Sequence, residues 1–61
     1  MLSKTEVVRE MLNVYTNHSH NGKTTAKGVH LLFTALDKAN PADMVDVLDM
    51  FEAKAKEVSY A

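Results

Sequence analysis

The sequence predicts an all-α fold in which three helices form a single domain, residues 1–61. Apolar residues recur at helical spacing in three segments, and the turn-forming pairs Asn21-Gly22 and Asn40-Pro41 separate these segments. No stretch alternates apolar and polar residues as a half-buried strand does. A chain of 61 residues has room for only a small hydrophobic core, which stabilises it by a few kcal/mol.

The first helix is predicted over about residues 4–17. Ser3 and Glu6 match the capping box, in which a serine and a glutamate three residues later satisfy the first free amides of a helix. The apolar residues of this segment cover an arc of about 160° of the helix surface, and polar residues occupy the opposite side. The apolar residues are Val7, Val8, Met11, Leu12, Val14 and Tyr15.

The second helix is predicted over about residues 24–39, after a polar loop over residues 17–23. Thr24 or Thr25 is suited to cap it. Its apolar residues, among them Val29 and Phe33, cover about 220° of its circumference, which leaves little room for polar side chains. We therefore expect this helix to be central, with the segments before and after it covering it on two sides.

The third helix is predicted over about residues 41–59. Asn40 is a favourable N-cap residue, and Pro41 suits the first helical position and disfavours a helical conformation for the residue before it. Acidic residues near the beginning of this segment and lysines near its end match the helix dipole. The short connection predicts that the second and third helices are immediate neighbours.

The composition favours self-association. Hydrophobic residues make up 46% of the chain, and the chain contains no cysteine with which a disulfide or a thiolate metal site could stabilise so small a core. Gly28, Leu31 and Ala35 form a second apolar face on the predicted central helix, with small residues that permit close helix approach. We therefore expect a homo-oligomer that completes its core through this face.

The charge distribution disfavours nucleic-acid binding. Residues 1–36 contain four basic and two acidic residues, for a net charge of +2, and residues 37–61 contain three basic and six acidic residues, for −3. The second and third helices with the turn between them imitate a helix-turn-helix, but the third helix would bring acidic residues to the DNA phosphates. A nucleic-acid-binding module stays an alternative, with the basic residues Lys4, Arg9, Lys23 and Lys27 as its candidate contacts.

The sequence predicts neither a catalytic site nor a cofactor. No serine or threonine is paired by pattern with a histidine and an acid. Gly22-Lys23-Thr24 lacks the earlier glycine and the preceding strand of a phosphate-binding loop. His18 and His20 are spaced like two metal ligands, with His30 as a conceivable third, but we interpret them as polar residues at a helix end and predict no metal site.

We expect a cytoplasmic protein without a membrane segment. No apolar run approaches the ~20 residues of a membrane span. The N-terminal residues lack the basic flank and apolar core of a signal peptide, and the absence of cysteine fits a reducing compartment.

The function that we predict is protein binding by a non-enzymatic regulator or inhibitor. It is similar in style, though in no sequence motif, to the small regulators of phages and mobile elements. The third helix carries an acidic face with two apolar residues off its main apolar stripe, which suits a partner with a basic surface. The candidate partner-binding residues are Asp43, Val45, Asp46, Asp49, Met50 and Glu52. A structural homo-oligomeric building block is a further alternative.

Overall fold

A computed structural model describes the backbone of residues 1–60 and the side chains of residues 1–58. Ala61 and the side chains of Ser59 and Tyr60 lie outside the described part of the chain. The elements in chain order are α1 (Lys4–His18), β1 (Ser19–His20), β2 (Lys23–Thr24), α2 (Ala26–Leu36), a 3-10 turn (Pro41–Asp43) and α3 (Met44–Tyr60). The prediction of a mostly helical chain with three helices is confirmed.

The central helix is α1, and the prediction that α2 is central was wrong. Both α2 and α3 pack against α1, whereas α2 and α3 have little direct contact with each other. The connection between α2 and α3 is longer than predicted because α2 ends at Leu36, so the two helices are not forced together. The buried residues of α1 are Val7, Val8 and Met11, which lie on one face, so α2 and α3 lie on the same side of α1.

The core is small and consists of aliphatic side chains from all three helices. The two largest side chains that are fully buried are valines, Val7 and Val47. The buried hydrophobic residues are Val7, Val8, Met11, Ala35, Leu36, Ala39 and Val47. Larger apolar side chains, including Leu32 and Phe51, are only partly buried against this cluster. The ring of Phe51 meets that of Tyr15 edge to face at 5.8 Å between centroids, which joins α3 to α1.

The segment predicted as a polar loop is a β-hairpin. Strands β1 and β2 pair antiparallel, and the turn between them places Asn21 at φ 54° and Gly22 at φ 79°. Positive φ at both central residues is what a type I′ hairpin turn requires, and the pair Asn-Gly is the most favourable for it. The hydroxyl oxygens of Ser19 and Thr24 are 2.7 Å apart across the hairpin. The strands are two residues long, which is too short for periodicity to reveal them.

The second helix ends three residues earlier than predicted. The amides of Lys38 and Ala39 bond to carbonyls three residues back, those of Ala35 and Leu36, which tightens the chain after the helix. The amide of Leu2 donates to the carbonyl of Lys38 at 3.0 Å, and Leu2 forms a parallel bridge with Ala39. The N-terminal residues therefore bind the backbone that would otherwise continue the helix.

The predicted N-cap residues are confirmed at the start of each helical segment, although the Glu6 carboxylate accepts from the hydroxyl of Ser3 at 3.3 Å and not from its amide as the capping box predicts. The hydroxyl of Ser3 accepts from the amide of Glu6 at 3.3 Å, and the hydroxyl of Thr25 accepts from that of Gly28 at 3.0 Å. Asn40 precedes the 3-10 turn, and its side-chain oxygen accepts from the amide two residues later at 3.0 Å. The local sequence thus determines where each helix begins.

Replacing Thr25 with alanine should lower the free energy of unfolding by about 1 kcal/mol, because it leaves the first amides of α2 without their acceptor. Thr25→Ser retains the hydroxyl and should keep most of the stability. Urea unfolding followed by circular dichroism measures both variants. Equal losses in the two variants would show that the methyl group of Thr25, and not its cap, is what stabilises α2.

Candidate protein-binding surfaces

Exposed apolar side chains are the most conspicuous surface feature of this protein. Val45 is 71% exposed and Phe33 is 62% exposed. The other large apolar residues with substantial exposure are Met1, Val29, Leu48, Met50 and Val58. Apart from Met1, they all belong to α2 and α3, so these two helices supply the candidate interaction surfaces of the described chain.

The predicted partner-binding residues lie on two different flanks of α3. Val45 and Met50 are about 140° apart around a helix axis. Their side chains therefore point in different directions, and one partner surface cannot be centred on both. Val45 shares its flank with Asp49 and Glu52 at helical spacings of four and seven residues. The three remaining predicted residues, Asp43, Asp46 and Met50, share the other flank, with Asp43 placed in the 3-10 turn.

Two of the predicted acidic residues are paired with lysines of the same chain. Asp46 accepts from Lys4 at 3.3 Å, and this pair connects α3 to the start of α1. Glu52 lies 3.4 Å from Lys56, one helical turn later. Asp49 makes no ion pair within residues 1–58, so the flank that contains Val45 keeps an acidic group available to a partner.

The face predicted for self-association is used inside the chain. Gly28 and Ala35 are buried, and Leu31 is half-buried. A Cβ atom on Gly28 would lie 2.6 Å from the Cβ of His18, the last residue of α1. Leu31 and Ala35 border a shallow groove whose opposite wall is α1. These small residues do permit close helix approach, but α1 is the helix that approaches, so this face is not free for a second copy.

The sequence interpretation missed four exposed apolar residues because it assigned them to buried stripes. They are Val29, Phe33, Leu48 and Val58. Phe33 lies about 140° around α2 from Gly28, which faces α1, so its ring points away from the helix that covers α2. The signal was present in the very wide apolar arc of this segment. One covering helix buries only part of such an arc, and periodicity does not tell which part stays exposed.

The histidines do not converge. Within the described residues there is no group of three or more histidine, cysteine, aspartate or glutamate side chains that could hold a metal ion. His20 lines an open cleft together with Tyr15 and the hairpin turn. His18 is half-buried near the start of α2, and His30 is exposed on α2.

The basic residues do not form one patch. Lys4 begins α1, and Lys23 belongs to the hairpin that follows its other end. A helix of 15 residues is about 22 Å long, so these two charges lie at opposite ends of the molecule.

Comparisons with other proteins give no relative: no family model, curated protein or solved structure matches the chain. Among the described helices, none has both the length and the apolar character that crossing a membrane requires.

Proposed function

We propose that this chain is a non-enzymatic protein-binding regulator or inhibitor whose contact surface is the flank of α3 formed by Val45, Leu48, Asp49 and Glu52. We refer to these four residues as the Val45 flank. The observation that carries the proposal is the 71% exposure of Val45. An apolar side chain this exposed on a regular helix costs hydration free energy that contact with a partner would recover.

The composition of the Val45 flank indicates the chemistry of its partner. Leu48 is 45% exposed and lies one turn from Val45, so the two side chains offer a continuous apolar contact. Asp49 and Glu52 border them with negative charge. A complementary partner surface has an apolar depression bordered by lysine or arginine residues. Regulators that bind basic surfaces associate faster at low salt, because the charges steer the encounter.

The proposal is tested by capture from lysate with the tagged chain, using substitutions on the two flanks of α3. Val45→Glu should weaken capture of a specific partner by about 30-fold or more, because it places a charge at the centre of the contact. Asp49→Lys should weaken capture and make it less sensitive to salt.

Met50→Glu is the matched control, since Met50 is a 38% exposed apolar residue on the opposite flank of the same helix. It should capture the partner as the wild-type chain does. If Met50→Glu loses the partner and Val45→Glu retains it, the proposed surface is wrong. A captured protein that all three variants retain would also contradict it.

Experiments distinguish this function from the two alternatives that the sequence analysis left open. A nucleic-acid-binding module using Lys4, Arg9, Lys23 and Lys27 would retard duplex or single-stranded DNA at low salt in a gel-shift experiment. We disfavour it because Lys4 is already paired with Asp46, and Lys4 and Lys23 lie at opposite ends of α1. A purely structural building block would capture only its own copies.

Exposed apolar surface, and not a cluster of reactive groups, is the feature on which the proposal rests, so we assign the chain neither a reaction nor a cofactor. We place its action in the cytoplasm, where the lack of cysteine carries no cost in stability.

A further inference from the structure

The outer face of α2 has no covering element in the described chain. Val29 and Phe33 are 40% and 62% exposed, and they lie one helical turn apart. His30 and Asp37 border them on one side and are both exposed. We refer to Val29, His30, Phe33 and Asp37 as the Phe33 strip. It is distinct from the Val45 flank of α3, and its occupant is a separate question from the proposed function.

The charges along α2 run against its own dipole. Lys27 lies toward the N-terminal end, where the helix dipole favours acids, and α2 has no acidic residue in its first turn. Asp37 caps the C-terminal end, where the dipole favours cations, and no basic residue occupies the last turn. Inside the monomer this order is unfavourable.

The same order becomes favourable when α2 meets an antiparallel copy of itself. Two-fold symmetry about a point near Phe33 places His30 of each copy opposite Asp37 of the other. The Phe33 rings then meet at the centre, and Val29 packs on either side. Each acid at a helix C-terminus gains the imidazole of the other copy, and the two helix dipoles oppose each other. The strip is therefore complementary to itself.

The molecule exposes slightly more surface than a compact monomer of its mass. The chain exposes 4364 Å², whereas compact monomers of its 6.8 kDa expose about 4,000 Å². The molecule is flat, with extents of 31, 22 and 14 Å.

We propose that the chain forms a symmetric homodimer in which the Phe33 strips of two copies pack antiparallel, with His30 of each copy paired to Asp37 of the other. The self-association surface in this proposal is the outer side of α2. It differs from the face predicted from the sequence, formed by Gly28, Leu31 and Ala35, which α1 covers.

The test is the molar mass of the full chain by light scattering and sedimentation over a range of concentrations. The wild-type chain should reach the mass of two chains, twice 6.8 kDa. Phe33→Glu should raise the dissociation constant of the dimer about a hundredfold or more, because symmetry makes each substitution act twice. Val45→Glu, a charge placed on the other exposed surface, should leave the mass unchanged.

The register is tested by charge exchange. His30→Glu brings two acids together at both ends of the strip and should weaken the dimer by about three- to tenfold. The double variant His30→Glu/Asp37→Lys places opposite charges at the two positions and should return the dissociation constant to within about threefold of wild type. If His30→Glu weakens the dimer and the double variant does not restore the dissociation constant, the antiparallel pairing is wrong.

Circular dichroism shows whether each variant is folded, and Val29→Glu replaces Phe33→Glu if that chain unfolds. A wild-type chain that stays monomeric at high concentration overturns the dimer, as does a dimer that neither Phe33→Glu nor Val29→Glu weakens. The outcomes are independent of partner capture. Phe33→Glu should still bind the partner of the Val45 flank, and Val45→Glu should still dimerise, so failure of one proposal is distinguishable from failure of the other.

Discussion

Replacing Gly28 with alanine should destabilise the fold by about 2 kcal/mol, although alanine is the better helix former by about 1 kcal/mol. The added Cβ would lie 2.6 Å from the Cβ of His18 and 2.8 Å from the Cγ2 of Thr24. A Cβ atom is fixed to its backbone, so relief requires α2 to move away from α1 and the hairpin. Thermal unfolding should occur about 10 °C lower than in the wild-type chain.

Lys27→Ala is the control for this substitution. It gives the preceding position of the same helix the same side chain, but Lys27 is exposed and its replacement creates no clash. Its midpoint should stay within a few degrees of wild type or rise slightly. If Gly28→Ala is as stable as Lys27→Ala, α1 and α2 do not approach each other as closely as described. If instead Gly28→Ala keeps its stability and changes only the oligomeric mass, Gly28 belongs to an interface between copies.

Gly28 also illustrates what helical periodicity can and cannot determine. The sequence places Gly28, Leu31 and Ala35 on one face of α2 and indicates that another helix approaches it closely, and both statements hold. Periodicity does not identify the approaching helix. The interpretation assigned this face to a second copy and gave Val29 and Phe33 to the interior, whereas the structure buries Gly28 and Ala35 within the chain and leaves Val29 and Phe33 exposed.

Some helix ends are determined by neighbouring residues in the sequence, and others involve contacts between distant parts of the chain. Ser3, Thr25 and Asn40 cap the helical segments by bonds within three residues along the chain, so they could be predicted from the sequence. The early end of α2 is accompanied by a bond between the amide of Leu2 and the carbonyl of Lys38. No local pattern encodes a contact across so much of the chain.

The candidate site on α3 shows a similar limit. The sequence correctly places five of the six predicted residues in α3, and the sixth, Asp43, lies in the 3-10 turn before it. It grouped Val45 with Met50 because both lie off the main apolar stripe, although they point to different sides of the helix. It also gave Asp46 to a partner, whereas the structure pairs it with Lys4. Which acidic groups remain available depends on the packing of α1, and the pattern of α3 does not contain that information.

Val47→Ala should lower the free energy of unfolding by about 2 kcal/mol, the second large effect that we expect from a single substitution. Val47 has no exposed surface, and its side chain fills the core where α3 meets α1. Removing two methyl groups there loses both their burial and the contacts around the resulting cavity. Chemical denaturation at equilibrium measures the loss.

Val45→Ala is the matched variant, because it makes the same change two residues earlier on the same helix. Val45 is 71% exposed, so the stability of this variant should stay within about 0.5 kcal/mol of wild type. Equal losses at the two positions would mean that α3 is rotated relative to the described orientation, and the Val45 flank would then not exist as a surface.

The two variants together separate folding from binding. If the Val45 flank is a contact surface, Val45→Ala should weaken partner capture while the chain remains as stable as wild type. Val47→Ala should reduce capture only by the fraction of chains that it unfolds, and lowering the temperature toward that of maximum stability should restore it. If Val45 contacts the partner, Val47→Ala loses stability and Val45→Ala loses affinity for the partner. A stray apolar residue on the surface predicts no loss of capture at Val45.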